Sequence, residues 1–421
     1  RNEVKGFIMR KIFLTLLTMF TLFLGITPVH AEDFSVAAKH AIAVEVSTGK
    51  VLYEQDAQTP ASIASISKLL SVYLVYEALE KGEIQLDTMV DISDYPYSLT
   101  ANTELSNVNL DARSYSVSDL LNASLITSSN SAIIALAEKI AGSEAAFVDK
   151  MKAKVAEWGI TDATIVNTSG LDNSDLGENI YPGSKPDDSN QFSALDVAII
   201  ARRLILDYPQ VLNITSLNAY DFGGYTYYST NQMLSEGTHA RGGVDGLKTG
   251  TSNSAGSSFV ATTTQANMRI ITVVLNATDG LTNSDNRFVE TNNLMNYVYN
   301  NYSAITLVKK GEAFENSSVK LFNGTKASSP AVATADLLAI QKNTSEQPVT
   351  ATFTSNQTEF DAPITSGTVV GQLKIVDNDL IGVGYLDNIA QIDMAIPTTI
   401  KTAPWPVSWW NQFVRYVNEK L

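Results

Sequence analysis

The 421-residue sequence predicts an α+β domain, then a small all-β domain and a short amphipathic helix at the C-terminus. Three observations predict this order. Helical periodicity prevails between about residues 65 and 207, alternating β-branched runs follow between 244 and 275, and Thr, Val, Ser and Asn dominate after residue 302. Because aliphatic and aromatic residues make up 44% of the chain and charged residues 17%, the chain can bury substantial cores.

The first predicted elements are a hairpin and a helix. Residues 41–54 read as two strands around a turn at Gly49. From about residue 65 to 81, apolar side chains recur every three or four positions, which indicates one buried helix face. Gly82 is expected to end this helix.

Four further helices are predicted ahead of the later strands. Asp119 and Asp196 each follow a serine by three residues, which is the pattern of a capped helix start. The segment 167–191 is rich in Asn, Asp, Gly, Ser and Pro, and loops of that length in compact domains are often functional. The four helices are predicted at about residues 116–125, 130–141, 147–158 and 193–207.

Strands at 257–264 and 269–275 and a closing helix at 286–301 complete the first folded domain. We place its boundary near Tyr302, so that this domain spans residues 32–302. Short alternating runs punctuated by Gly, Pro and Asn then predict a small β-sandwich over residues 303–398.

The tail, residues 399–421, has a composition of its own. Three of the four tryptophans of the chain, Trp405, Trp409 and Trp410, lie here, and apolar residues recur at helical spacing. Tryptophan prefers the membrane–water boundary, so we predict an amphipathic helix that binds a membrane surface without crossing it. The alternative is that this helix docks on the β domain or on another subunit.

Residues 1–31 have the order of a secretory signal peptide with a few upstream residues. A basic stretch at 9–11 precedes an apolar run over 12–26 and small residues at 29–31. The apolar run is short for a stable membrane span. We therefore expect an exported protein, the alternative being an uncleaved N-terminal anchor.

Composition excludes several classes of function. A net charge of −15, from 29 basic and 44 acidic residues, argues against a nucleic-acid partner. The absence of cysteine excludes disulfides, zinc–thiolate sites and cysteine nucleophiles. His30 lies in the predicted signal peptide, and His40 and His239 are expected to be bystanders because no acidic partner motif marks them. Hydrolytic chemistry in this chain therefore needs a base other than histidine.

Three short motifs carry the chemistry. Each is weak alone, because the first can be a helix start, the second a helix junction and the third a turn before a strand. Their order and their places at element boundaries make the case. The motifs are Ser65-Ile66-Ser67-Lys68, Ser128-Ser129-Asn130 and Lys248-Thr249-Gly250-Thr251.

In this order the motifs resemble those of the serine penicillin-recognising enzymes. More narrowly, the chain resembles the D-alanyl-D-alanine carboxypeptidases among the low-molecular-weight penicillin-binding proteins. The resemblance runs from about residue 38 to 300 and continues more weakly through the β domain to the tail. It rests further on the strings Thr48-Gly49-Lys50-Val51-Leu52-Tyr53, Pro60-Ala61-Ser62, Val244-Asp245-Gly246-Leu247, Ala362-Pro363-Ile364 and Val369-Val370-Gly371.

The resemblance implies an antiparallel sheet covered by helices, a cleft between sheet and helices, and a β domain that acts as a stalk. It implies neither a metal nor an organic cofactor. Many family members carry His where this chain has Thr251, which leaves the fine substrate preference open. The segment 167–171 is interpreted as loop architecture near the cleft.

The predicted nucleophile is Ser65 and its base is Lys68. Positions i and i+3 share a helix face, so the amine lies one turn from the hydroxyl. To accept a proton, Lys68 must be neutral, so its pKa must fall from about 10.4 toward about 7–8. Burial and a second cation nearby, Lys248, supply that shift.

The other motif residues take roles from the same chemistry. Lys248 is predicted to hold the terminal carboxylate of the substrate as a charged ammonium, within a substrate-binding set that includes Thr249 and Gly250. Ser128 would relay a proton to the leaving amine, while Asn130 would orient the substrate amide. The oxyanion would receive hydrogen bonds from N–H groups at the helix start and at Thr251.

The predicted function is removal of the terminal D-alanine from peptidoglycan stem pentapeptides ending in D-Ala-D-Ala, outside the cytoplasm at the membrane surface. β-Lactam antibiotics would acylate the same serine. The alternatives are a class A-like β-lactamase, a D,D-endopeptidase and a catalytically idle cell-wall-binding protein. No Glu-x-x-Leu-Asn string follows the second motif at the β-lactamase spacing, whereas intact motifs argue against an idle protein.

Overall fold

The computed structural model describes residues 34–420, so the predicted signal segment lies outside the described residues. The helices are α1 (Lys68–Glu80), α2 (Asp94–Ser98), α3 (Val117–Ile126), α4 (Asn130–Ala141), α5 (Glu144–Glu157), α6 (Ala194–Asp207), α7 (Leu212–Thr215), α8 (Asn286–Asn301) and α9 (Trp405–Lys420).

The strands up to residue 277 belong to the α+β domain. They are β1 (Ala38–Glu45), β2 (Val51–Gln55), β3 (Ala61–Ser62), β4 (Met89–Asp91), β5 (Ser114–Ser116), β6 (Gln191–Phe192), β7 (Ala219–Phe222), β8 (Tyr225–Tyr228), β9 (Val244–Ser252), β10 (Gly256–Gln265) and β11 (Met268–Ala277).

A five-stranded antiparallel sheet, in the order β2-β1-β11-β10-β9, forms the centre of this domain. Successive residues of β11 from 270 to 275 are all fully buried, so both faces of the sheet are covered. On one face Val273 joins the core formed with α1 and α6. On the other, Phe259 meets Phe288 of α8 edge-on, with 5.1 Å between ring centroids. Because β9 is the outermost strand, it presents a backbone edge.

Most predicted elements of this domain are confirmed, including the hairpin, the closing helix and both serine caps. The start of the first helix was wrong. Residues Ala64–Ser67 form a 3₁₀ turn, and the α-helix begins only at Lys68. The helix predicted at 147–158 begins earlier, because Ser143 caps it by accepting from the Ala146 N–H.

Both histidines have carboxylate partners, which the sequence did not indicate. His40 Nδ1 lies 2.9 Å from Asp56 Oδ2, and His239 Nε2 lies 3.2 Å from Asp285 Oδ2. The expectation that neither has an acidic partner was therefore wrong. Their bystander role remains a prediction.

Residues 302–400 form a small β domain with its own core of aliphatic and aromatic residues. A two-stranded sheet pairs β12 with β15, and a six-stranded sheet has the order β16-β18-β19-β14-β13-β17. These strands are β12 (Tyr302–Val308), β13 (Ala313–Phe322), β14 (Ser328–Ala333), β15 (Leu337–Lys342), β16 (Thr350–Ser355), β17 (Phe360–Asp361), β18 (Val369–Val376) and β19 (Gln391–Ala395).

A buried ion pair joins the β domain to the hairpin of the first domain. Lys50, at the β1–β2 turn, places Nζ 2.6 Å from Asp377 Oδ2, and both side chains are fully buried. The same amine donates to the Ile340 carbonyl at 2.9 Å, while the Tyr385 hydroxyl donates to Asp377 at 2.7 Å. The charges are therefore compensated inside the domain interface.

Helix α9 docks on the β domain through its polar side. Asn323 donates to Ser408 Oγ at 2.8 Å, and Arg415 pairs with Glu359 and Asp361, both at 2.8 Å. Trp405 is 80% exposed, and the other aromatic side chains of the helix are exposed as well. In residues 34–420, no helix is both long enough and apolar enough to cross a membrane.

Candidate active site

Ser65 lies in the 3₁₀ turn that precedes α1. Its side chain is partly exposed, whereas Ala64, Ile66 and Ser67 are buried. Ala64 has φ +46°, a left-handed conformation that is unfavourable for a residue with a Cβ and that recurs at functional sites. The surrounding packing therefore has to hold this turn in place.

Two glycines allow that packing. At Gly170, where φ is +82°, an added Cβ would overlap the Ala64 carbonyl oxygen. At Gly250, an added Cβ would lie 2.5 Å from the Ile63 carbonyl oxygen. The glycine of the third motif thus allows strand β9 to approach the serine turn closely.

Lys68, the first residue of α1, is fully buried and contacts three acceptors. Its Nζ lies 2.9 Å from Ser65 Oγ, 2.7 Å from Asn130 Oδ1 and 2.8 Å from the Ser169 carbonyl oxygen. A neutral amine keeps two N–H donors and gains one lone pair. Asn130 and Ser169 can accept both N–H groups, which leaves the lone pair for the hydroxyl proton of Ser65.

The surroundings favour that neutral form. Burial lowers the pKa of Lys68 well below its ordinary value, and the charge of Lys248 lowers it further. The carboxylate of Glu144 acts in the opposite direction and raises the pKa of Lys68. The net direction is the one that a lysine general base needs at neutral pH.

Lys248 and Ser128 form a second buried lysine–serine pair. Lys248 Nζ donates to Ser128 Oγ at 2.9 Å and to the Thr249 carbonyl at 3.0 Å. Burial, and then the charge of Arg287, lowers the pKa of Lys248 to about 7. In the free protein Lys248 therefore titrates near neutrality, whereas we had expected it to be a charged ammonium.

Asn130 is held at both ends of its amide. It is the first residue of α4, whose N-cap is Ser129, and Ser129 Oγ accepts from the Ala132 N–H. Asn130 Nδ2 donates to the Ser106 carbonyl at 3.0 Å, while Asn130 Oδ1 accepts from Lys68. The middle residue of the second motif thus has a structural role, and the third has a defined orientation in the site.

The third motif lies on the edge strand β9. Thr249 Oγ1 is 2.8 Å from Thr230 Oγ1, and Thr251 Oγ1 accepts from Arg287 Nη1 at 2.6 Å. Arg287 is a buried cation of α8 whose pKa is lowered to about 10 by burial. It stands beside the β9 edge as a second cation next to Lys248.

Seven of the eight predicted site residues lie in the serine turn, α1, α4 or β9, and Ser128 lies in the loop between α3 and α4. Hydrogen bonds connect Ser65, Lys68 and Asn130, and a separate bond connects Ser128 with Lys248. Sequence reasoning missed Ser169, Glu144 and Arg287. The contact of Ser169 is made by its backbone carbonyl, which leaves no side-chain signal in the sequence. Arg287 lies on the helix predicted over residues 286–301, to which the sequence assigned no role beyond closing the domain.

Comparisons with known proteins show the family and the fold of the chain. The family model described as D-alanyl-D-alanine carboxypeptidase matches residues 27–279, and the model described as penicillin-binding protein 5, C-terminal domain, matches residues 302–401. The chain belongs to the D-alanyl-D-alanine carboxypeptidase family of serine peptidases. The resemblance inferred from the motifs is thereby confirmed, as is the fold class.

Named relatives cover most of the chain. It is 30% identical over 356 residues to D-alanyl-D-alanine carboxypeptidase DacC of Escherichia coli, covering 81% of this chain and 80% of that protein. A solved peptidoglycan synthesis regulatory factor (PBP3) of Streptococcus pneumoniae is 51% identical with a TM-score of 0.82, covering 87% of this chain and all of that one. Ampicillin-bound penicillin-binding protein D2 of Listeria monocytogenes is 30% identical with a TM-score of 0.53, covering 63% of this chain and 99% of that one.

Proposed function

We propose that this protein is a serine carboxypeptidase that removes the terminal D-alanine from peptidoglycan stem pentapeptides ending in D-Ala-D-Ala. The observation that carries the proposal is the Lys68 amine, fully buried and 2.9 Å from Ser65 Oγ. A serine hydroxyl is a poor nucleophile until a base within hydrogen-bond reach takes its proton. The relatives named D-alanyl-D-alanine carboxypeptidase support this substrate class.

In the acylation step, Ser65 Oγ attacks the carbonyl carbon of the penultimate D-alanine and its proton passes to Lys68. The resulting oxyanion accepts hydrogen bonds from the backbone N–H groups of Ser65 and Thr251, and each such donor is worth about 10²–10³ in rate. The peptide C–N bond then breaks, and Ser128 passes a proton to the leaving amine. The products are free D-alanine and an ester on Ser65.

In the deacylation step, a water molecule attacks the ester carbonyl and gives its proton to the same lysine–serine system. The C–O bond to Ser65 breaks, and the serine hydroxyl is restored. Because acylation and deacylation pass through similar tetrahedral intermediates, one set of donors serves both. A penicillin forms the same kind of ester with Ser65, but this ester is hydrolysed slowly. Penicillin is therefore a probe of the acylation step.

The substrate carboxylate is placed at the β9 edge. Lys248 is held there by Ser128, and Arg287 reaches the same edge through Thr251. A carboxylate bound beside Lys248 favours the charged form of that lysine and raises its pKa from about 7. Substrate binding therefore shifts Lys248 toward its charged ammonium form, which is only partly populated in the free protein.

The proposal predicts one acylation site. Incubation with a fluorescent penicillin, followed by digestion and mass mapping, is expected to place the adduct on Ser65, and Ser65→Ala is expected to abolish labelling. Ser67→Ala is the matched control, because the Ser67 hydroxyl is buried in the same turn and has no hydrogen-bond partner within residues 34–420. Labelling at another residue, or persistent labelling of Ser65→Ala, would reject the nucleophile.

The rival functions give different results in the same assay. An idle protein would not be labelled at all, and a β-lactamase would release its adduct within one assay. A D,D-endopeptidase would cleave cross-linked muropeptide dimers faster than pentapeptide monomers. Release of D-alanine from a pentapeptide monomer, together with a long-lived penicillin adduct, is the outcome expected for the carboxypeptidase.

For localisation, we propose that the protein is exported and attached peripherally to the outer face of the cell membrane. In this arrangement residues 1–31 direct export, residues 32–302 carry the catalysis, residues 303–398 form the stalk and residues 399–421 bind the membrane. The helix α9 supports the last assignment, because its polar side is occupied by the β domain while its aromatic side is exposed. An amphipathic helix of this kind lies in the interface plane.

Removing residues from Trp405 onward is therefore expected to abolish flotation with vesicles of phosphatidylglycerol and phosphatidylethanolamine. The double variant Trp409→Ser, Trp410→Ser is expected to lose most of the bound fraction, since these side chains are 60% and 57% exposed. The control removes two exposed tyrosines of the first domain, Tyr225→Ser and Tyr228→Ser, and should float as the wild type does. Unchanged flotation of the truncated protein would contradict the assignment.

A further inference from the structure

The Ser169 carbonyl is one of the acceptors that surround Lys68, at 2.8 Å from Nζ. It belongs to the loop 167–171 and not to a helix or strand. A peptide group in a loop can rotate, and rotation would withdraw the acceptor from the amine. The geometry at Lys68 therefore depends on whatever holds residues 168 and 169 and the peptide that joins residues 169 and 170.

Thr168 is held on three sides. Its backbone N–H donates to Glu144 Oε1 at 2.9 Å, and its hydroxyl donates to the same oxygen at 2.7 Å. Its carbonyl accepts from Ser71 Oγ, on α1, at 2.7 Å. These bonds fix Thr168, from which the chain runs on to Ser169. The peptide that carries the Ser169 carbonyl is held at its other end, where the Gly170 N–H donates to Asn167 Oδ1 at 2.7 Å.

Glu144 is built into this arrangement. It is the first residue of α5 and only 7% exposed, and its second oxygen accepts from the Tyr95 hydroxyl at 2.7 Å. A carboxylate has acceptors only, and here it meets three donors. The hydrogen bonds of Glu144 go to Thr168 and Tyr95, and not to Ser65 or Lys68, so this side chain acts through other groups.

We propose that Glu144 is a positioning residue for the general base: its buried carboxylate anchors Thr168, so that the next residue presents its carbonyl to the Lys68 amine, and it adds a negative charge on that side of the amine. This inference rests on the proposed function, in which Lys68 accepts the proton of Ser65.

The charged surroundings set the direction of the effect. Lys68 is influenced by Lys248 and by Glu144, and Glu144 in turn by the Tyr95 hydroxyl and by Glu138. Burial raises the pKa of Glu144, while its bonds from Thr168 and Tyr95 favour the ionised form. A negative charge favours protonated Lys68, which cannot act as a base. Removing that charge lowers the pKa of Lys68 and extends activity to lower pH.

The test is the pH profile of penicillin acylation. In Glu144→Gln, which keeps an acceptor toward Thr168, the acid limb is expected to move down by about one pH unit, so acylation on that limb becomes about tenfold faster than in wild type. Because Lys68 and Lys248 titrate as a coupled pair, the acid limb reports both lysines. The shift is therefore obtained by comparing the complete pH–rate curves of variant and wild type. An unshifted limb, or one shifted upward, would overturn the electrostatic role.

Two further variants separate charge from position. Glu138→Gln is the control, because it removes a half-buried carboxylate that accepts from Ser93 and not from the loop 167–171, and its profile should match wild type. Glu144→Asp keeps the charge but withdraws the acceptor, so the limb should stay in place while the plateau falls about tenfold. A plateau acylation rate equal to that of wild type in Glu144→Asp would overturn the positioning role. This test still applies if Glu144→Gln fails to fold. Failure of the wild-type protein to be acylated would instead reject the proposed function.

Discussion

Replacing Lys68 with methionine is expected to slow acylation of Ser65 by penicillin about 10²–10⁴-fold. Methionine fills a similar volume but has no lone pair of comparable basicity, so the serine proton has no acceptor. The second-order rate constant of acylation, measured with a fluorescent penicillin at neutral pH, checks this. The effect is large because no histidine or thiol contacts Lys68 or Ser65 among the hydrogen bonds of the described residues.

The matched control for this variant is Lys81→Met. Lys81 caps the other end of α1, is 56% exposed and pairs with Glu77, so its loss should leave acylation unchanged. Methionine at position 68 also leaves two buried acceptors without a donor, at about 1–3 kcal/mol each, so thermal unfolding must show that the variant is folded at the assay temperature. A folded Lys68→Met protein whose acylation rate constant lies within tenfold of the wild-type value would contradict the mechanism.

Breaking the buried pair between the two domains should have the largest effect on stability. Asp377→Asn, or Lys50→Met, leaves one uncompensated charge in a fully buried site, which costs about 3–5 kcal/mol. Asparagine keeps one acceptor oxygen, which can still accept from the Asp379 N–H, and its NH2 group can donate to the Tyr385 hydroxyl once that hydroxyl turns, so the loss is mainly that of the charge. Denaturant unfolding, followed with probes in each domain, measures the effect on the free energy of unfolding.

Two comparisons make this prediction specific. In the double variant Lys50→Met, Asp377→Asn neither charge remains, so the protein should be more stable than either single variant. Arg203→Met is the control at the same interface, because Arg203 and Asp387 are 37% and 41% exposed and such pairs contribute at most about 1 kcal/mol. Equal losses in the buried and exposed variants would show that the buried pair has no special role.

Local sequence patterns predicted much of the fold. The helix over residues 286–301 and the serine caps at 116 and 193 were recovered because helical periodicity and capping depend on neighbouring residues. The start of α1 was missed for the opposite reason. Ala64 adopts φ +46° only because Gly170 and Gly250, far away in the chain, pack against its turn.

The motif residues were found for the same local reason, whereas their partners were not. Ser65 and Lys68 are three residues apart, and such positions lie on one side of a 3₁₀ turn as they do of an α-helix, so their contact follows from local geometry although the helix start was wrong. The contact of Lys68 with the Ser169 carbonyl joins segments a hundred residues apart, and no side-chain pattern marks a carbonyl. Arg287 was missed because its site role depends on α8 lying beside β9.

By itself, the sequence predicted which residues carry the chemistry, and it determined where most elements lie and to which family the chain belongs, since motif order and periodicity are properties of the chain. Only the tertiary structure decided the proton affinities of Lys68 and Lys248, the buried pair at the domain interface and the side of α9 that faces the protein. The physical reason is that desolvation and charge–charge interactions depend on groups brought together from distant parts of the chain.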